Sequence, residues 1–159
     1  MPNYSTYVPV TGIIRSITPF SEECCSQLIS LLTNDGIINF VSSPDTYVVN
    51  NTFLIPGMRV TAFYDSNLPV PMIFPPQYRA VVISPVSLQG QIAVNYFDEN
   101  LLAADRSLQL NIGPNTNVVT ANGQRYNCSI GGNTLIVFYN IATTSLPPQT
   151  TPRKIIVLC

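Results

Sequence analysis

Four side chains in this sequence can form covalent bonds under ordinary conditions: the thiols of Cys24, Cys25, Cys128 and Cys159. Cys24 and Cys25 are adjacent, and neighbours in a chain rarely bond to each other because the closed ring is strained. They follow the turn Phe20-Ser21-Glu22-Glu23, which should hold them at the surface. Cys159 is the last residue given and reads as a flexible, exposed end. Exposed thiols at separate places are what cross-linking between molecules requires. The competing reading is a buried thiol acting as a small hydrophobe, above all for Cys128, which sits in a strand-like run. A reducing compartment would also leave all four free. No Cys-x-x-Cys spacing occurs, so a structural zinc site is not expected.

The remaining chemistry is sparse. With no histidine among 159 residues, the usual general base at neutral pH and the commonest metal ligand are both missing. A Ser-His-Asp or Cys-His hydrolase is excluded. The carboxylates Asp45, Asp65, Asp98, Glu99 and Asp105 are scattered, and Asp98 and Glu99, as strand neighbours, would point to opposite faces. They read as turn residues rather than as an acid/base pair for glycoside hydrolysis. The glycine-containing turns match no phosphate-binding motif. No enzyme is expected, and no cofactor and no metal. Phe40, Phe63 and Phe138 fall at core-facing spacing. Tyr4, Tyr7, Val70, Met72, Phe74, Pro75 and Pro76 are better placed for an interaction surface.

Composition narrows the partners. Charged residues make up 9% of the chain and the net charge is −1, against roughly 25% charged residues in ordinary soluble domains. No basic face exists to neutralise phosphates, so nucleic-acid binding is not expected. A nearly uncharged polar surface carries little repulsion between copies, which favours self-association. Hydrophobic residues reach 46%, enough for a sizeable core, yet no run of 18 apolar residues occurs and no membrane insertion is expected. Residues 1–7 have neither a basic nor an apolar signal region. Cytoplasmic synthesis without a signal peptide is therefore the expectation, with deposition on a spore or cell surface.

The elements that would position these groups recur. Ser43-Pro44-Asp45-Thr46-Tyr47-Val48-Val49 is matched by Gly113-Pro114-Asn115-Thr116-Asn117-Val118-Val119. Val60-Thr61-Ala62-Phe63-Tyr64-Asp65 is matched by Leu135-Ile136-Val137-Phe138-Tyr139-Asn140. After a Pro-rich stretch in each half, Arg79-Ala80-Val81-Val82-Ile83 is matched by Arg153-Lys154-Ile155-Ile156-Val157. Residues 1–10 read as an extended N-terminal arm, 11–86 as a first β-unit and 87–159 as its repeat.

Strands are expected at Gly12–Ile17, Ile37–Val41, Tyr47–Val49, Met58–Tyr64, Tyr78–Ile83, Gly90–Phe97 and Ile155–Leu158. Cys25–Leu32 is ambiguous between strand and helix. The repeat favours strand, because the matching place holds the alternating Leu108–Ile112. Asn34-Asp35-Gly36, Asn122-Gly123 and Gly131-Gly132-Asn133 are turn signals. Leu68–Pro76 and Leu146–Pro152 read as Pro-rich loops, since proline cannot donate to a ladder. Asn100–Asp105 is the one stretch outside the sheets with room for a helical turn. The class is all-β. Two tandem five-stranded OB-like or barrel-like units are expected, with a single β-sandwich as the rival.

Several of these residues also carry a resemblance. Pro44-Asp45-Thr46-Tyr47-Val48-Val49, Phe63-Tyr64-Asp65, the run from Pro69 to Val82 and the ending Pro147-Pro148-Gln149-Thr150-Thr151-Pro152-Arg153-Lys154-Ile155-Ile156-Val157 are similar to a group of small β-rich modules of clostridia and related Gram-positive bacteria. The resemblance implies a Gram-positive, spore-forming source. It implies no activity and no site residues. The leading functional expectation is a structural, self-assembling protein of a spore coat, surface layer or filament, with itself as partner. The alternative is a module that binds a peptide, glycan or small ligand through its Pro-rich loops.

Overall fold

The structure, a computed structural model, describes residues 6–86 and 90–159. It is all-β, as the turn spacing and strand alternation predict, with no α-helix among the described residues. The chain divides into two compact units, Tyr7–Val86 and Ser87–Cys159.

The first unit is one seven-stranded sheet. Its strands are β1 (Tyr7–Phe20), β2 (Glu23–Thr33), β3 (Gly36–Ser42), β4 (Tyr47–Val48), β5 (Arg59–Asp65), β6 (Gln77–Arg79) and β7 (Val82–Pro85), in the order β4-β7-β5-β1-β2-β3-β6. Strand β1 is long because it serves two partners. Residues 7–13 pair with β5 and residues 13–20 with β2, with a register shift between Ile14 and Ser16. The stretch from Cys25 to Leu32 is strand, as the repeat argues, and the Asn34-Asp35 turn closes the β2–β3 hairpin with Gly36 at a φ of 103°. That backbone conformation is open to glycine at no steric cost.

Strand β6 ends the strand order and β7 stands next to its other end, inside the short β4, yet only Ala80 and Val81 separate them in the chain. Three peptide steps span at most about 10 Å. The sheet must therefore curl until its two ends nearly meet, although the ladder stays open and no barrel closes. Ala80 and Val81 seal the seam: the Ala80 amide donates to the Val41 carbonyl and the Val81 amide to that of Phe63, at 3.0 and 2.8 Å. The predicted single strand Tyr78–Ile83 is thus two strands, because the chain crosses the seam inside it. The curled face holds a core of Ile14, Ile29, Leu31, Phe40, Val60, Ala62, Ala80 and Ile83.

The second unit has β8 (Gln91–Phe97), β9 (Gln109–Leu110), β10 (Asn117–Thr120), β11 (Asn133–Tyr139), β12 (Gln149–Thr150) and β13 (Lys154–Leu158). Four of them form a sheet in the order β10-β13-β11-β8, and β12 pairs with β9. Phe97, Ala103, Leu108, Leu110, Leu135, Val137, Ile155 and Val157 fill its core. Asn100–Asp105 makes no helical turn. Leu101 has a φ of 62°, and the Asp98 carboxylate accepts the amides of Asn100 and Leu102 at 2.8 and 3.1 Å. An acceptor that satisfies two amides locally competes with helix formation.

The strand numbers differ from the five per unit that size suggests, but four strands in each unit share one plan. Strand β4 runs parallel to β7 as β10 does to β13. Strand β5 is antiparallel to β7 and β1 as β11 is to β13 and β8. The turn entering β4 and β10 is built alike. The Thr46 hydroxyl donates to the Ala80 carbonyl at 2.7 Å and accepts the Ser43 amide at 3.0 Å. The Thr116 hydroxyl donates to the Pro152 carbonyl at 2.7 Å and accepts the Gly113 amide at 3.2 Å. The Pro-x-Thr signal is thus a turn pinned to the start of the neighbouring strand.

The ladders also correct the register of the repeat. Phe63 lies opposite Val82 and Phe138 opposite Lys154, so Val82 matches Lys154 and Arg79 matches Thr151, not Arg153. The matched loop sequence is Pro75-Pro76-Gln77 with Pro147-Pro148-Gln149. The carbonyls of Pro76 and Pro148 accept the amides of Asn39 and Gln109, both at 2.8 Å.

The extended arm needs correction where it is described. Tyr7, Val8, Pro9 and Val10 are the opening of β1, opposite Asp65, Tyr64, Phe63 and Ala62, and Val10 packs against the core. Pairing satisfies the open edge of β5, which outweighs the proline that suggested a free arm. Residues 1–5, including Tyr4, lie outside the described residues.

Candidate functional site

All four cysteines are exposed and unbonded. Cys24 and Cys25 stand at the tip of the β1–β2 hairpin, between the Glu23–Phe20 and Gln27–Pro19 pairs, where the ladder is irregular. The left-handed turn residue Ser21, with a φ of 53°, throws the chain back there. Cys128 lies in the loop between β10 and β11, not in a strand, and Cys159 follows β13. The thiols therefore emerge at the β1–β2 hairpin tip, on the β10–β11 loop and at the end of β13. Among the described residues no three His, Cys, Asp or Glu side chains gather in a metal-binding group.

The Pro-rich loop between β5 and β6 carries the second feature. Val70, Met72 and Phe74 are exposed, Met72 and Phe74 almost completely at 102% and 92%, while Pro75 and Pro76 are half-buried. Proline removes donors from this stretch, so it cannot add a strand to the sheet and stands off it as a loop. In the second unit the matching loop exposes Ile141 and Leu146. Tyr7 is half-buried in β1 and does not join the loop surface.

Beneath the first loop lies a cleft of about 200 Å³, whose lining includes Phe20, Tyr64, Asp65, Gln77, Tyr78 and Arg79. Tyr64 and Tyr78 are stacked, with ring centroids 3.9 Å apart and planes 10° from parallel. Phe40 closes the trio at 6.3 and 5.8 Å. Burial, and then the Tyr78 hydroxyl beside it, hold the Tyr64 hydroxyl above its ordinary pKa, so this phenol is neutral at physiological pH. Asp65 accepts the Asn67 amide at 2.9 Å, which turns the chain into the loop.

The sequence reading placed the loop but missed the cleft. The aromatic trio is contributed by β3, β5 and β6, distant in sequence and joined only by the curl of the sheet. A signal did exist. Tyr78-Arg79 follow Pro-Pro-Gln in the first half where Thr150-Thr151 follow it in the second.

Fold and site together define a two-unit, all-β protein with exposed thiols and an aromatic cleft in its first unit. No family model, no curated protein and no solved structure matches the chain. Among the described residues no helix is long and apolar enough to cross a membrane.

Proposed function

We propose that this chain is a non-catalytic structural protein that assembles with copies of itself, in a spore coat, surface layer or filament, and is fixed there by disulfides. The observation that carries the reading is the exposure of all four thiols at three separate places on the chain. A molecule linked through one place stops at a dimer, through two extends a chain, and through three branches into a network. Low charge removes the long-range repulsion that would keep copies apart. The apolar loops bearing Met72, Phe74 and Leu146 add surface that gains from being covered. Each link joins the sulfurs of two thiols as their two protons and two electrons pass to dioxygen or to a small-molecule disulfide.

Non-reducing electrophoresis of air-oxidised protein tests the reading. Species too large to enter the gel, all returned to one band by reductant, are expected. A chain retaining only Cys159 should stop at a dimer. A monomeric band unaffected by reductant overturns the proposal.

A further inference from the structure

The cleft of the first unit has properties that the fold does not require. The second unit repeats the parallel pairing of β3 with β6 in β9 with β12, and has Leu110, Tyr139, Asn140, Thr150 and Thr151 at the places of Phe40, Tyr64, Asp65, Tyr78 and Arg79. That pairing therefore forms without a stacked tyrosine pair flanked by a carboxylate and a guanidinium. Arg79 is exposed, lines the cleft, and its guanidinium meets no described partner.

The geometry points to a saccharide site in this cleft, taking one pyranose ring of a glycan. Tyr64 and Tyr78 cover each other's inner faces at 3.9 Å, which leaves an outer tyrosine face for the sugar. That face is electron-rich, and the C–H bonds on the face of a pyranose carry the complementary partial positive charge. Sugar hydroxyls both donate and accept, and the cleft offers both: Asp65 accepts, Arg79 donates, and Gln77 and the tyrosine hydroxyls do either. An anion would need donors alone, and a cation acceptors alone. Drug-sized ligands and peptides occupy pockets of roughly 300–1,000 Å³. A cleft of about 200 Å³ suits a single ring. The inference does not rest on self-assembly, since a monomer keeps the whole site.

The test is saturation-transfer difference NMR on the full chain with N-acetylglucosamine, methyl glucoside and methyl galactoside, and with a proline-rich decapeptide. At least one sugar should receive saturation at its ring-face protons. Arg79→Thr should weaken that binding about tenfold, the loss of a charge-assisted hydrogen bond, and leave the melting temperature unchanged. Tyr78→Phe should keep most of the binding and Tyr78→Thr should remove it. Transfer to none of the three sugars overturns the proposal. So does transfer to the peptide alone, or sugar binding untouched by both Arg79→Thr and Tyr78→Thr.

Discussion

The first unit carries Phe40, Tyr64 and Tyr78 where the second carries Leu110, Tyr139 and Thr150, on ladders of matching register. The framework strands are interchangeable in plan and the inner residues are not. A second contrast lies at β1 and β8. Gly12 is opposite Val60 and Asn95 is opposite Leu135, which puts Gly12 level with Asn95. A Cβ at Gly12 would stand 2.7 Å from the Leu32 carbonyl oxygen. Glycine there lets β2 cross close against β1 and start the long meander β1-β2-β3. In the second unit no such hairpin exists, and buried Asn95 reaches instead to Asp105, donating to its carboxylate at 2.9 Å. The curled seven-stranded sheet and the four-stranded sheet with its separate ribbon thus carry different residues at this level, glycine under a crossing hairpin in one and a hydrogen-bonded asparagine in the other.

The comparison can be broken in graded ways. The largest effect is expected at the inner residues. Phe40→Ala should cost about 3–5 kcal/mol and Leu110→Ala about 2–5 kcal/mol in urea unfolding, because both side chains are fully enclosed and each leaves a cavity. Next come the pinned turns. Thr46→Val and Thr116→Val should each cost about 1–3 kcal/mol, as each removes a hydroxyl that serves one carbonyl and one amide. Unequal costs for the pair would show that the turns are alike in shape only.

Gly12→Ala should cost about 1–3 kcal/mol through the clash with backbone that cannot move aside. Its counterpart Asn95→Gly should cost less than about 1 kcal/mol. The lost hydrogen bond is offset there by removal of the Asn95 carbonyl oxygen, which is buried without a partner. The smallest change is Arg79→Thr, within about 0.5 kcal/mol, since the side chain is exposed. A large loss at Arg79 would make it a structural residue and remove the reason to read it as a ligand contact.

The cysteines sharpen the same contrast from outside the cores. Cys24 and Cys25 belong to the hairpin that only the first unit has. In the second, Cys128 lies on the loop that joins two strands of the shared plan and Cys159 directly follows a third. Replacing Cys24 and Cys25 with serine should leave oxidised species that still enlarge through Cys128 and Cys159. Replacing all four should leave one monomeric band on the same non-reducing gel.

The sequence by itself determined the all-β class, the Pro-rich loops, the Asn34-Asp35-Gly36 and Asn122-Gly123 turns and the two Thr-centred turns. These depend on short-range chemistry: period-two alternation, proline's missing donor, and hydroxyls that reach their own neighbours. Tertiary structure alone decided that Tyr7–Val10 join β1, that Tyr78–Ile83 breaks at the seam, and that Arg79 is level with Thr151. It also exposed Cys128 and brought Tyr64 against Tyr78. Each of these turns on where a sheet edge finds its partner. That is set by how far the sheet curls, a property of seven strands together that no local run of residues encodes.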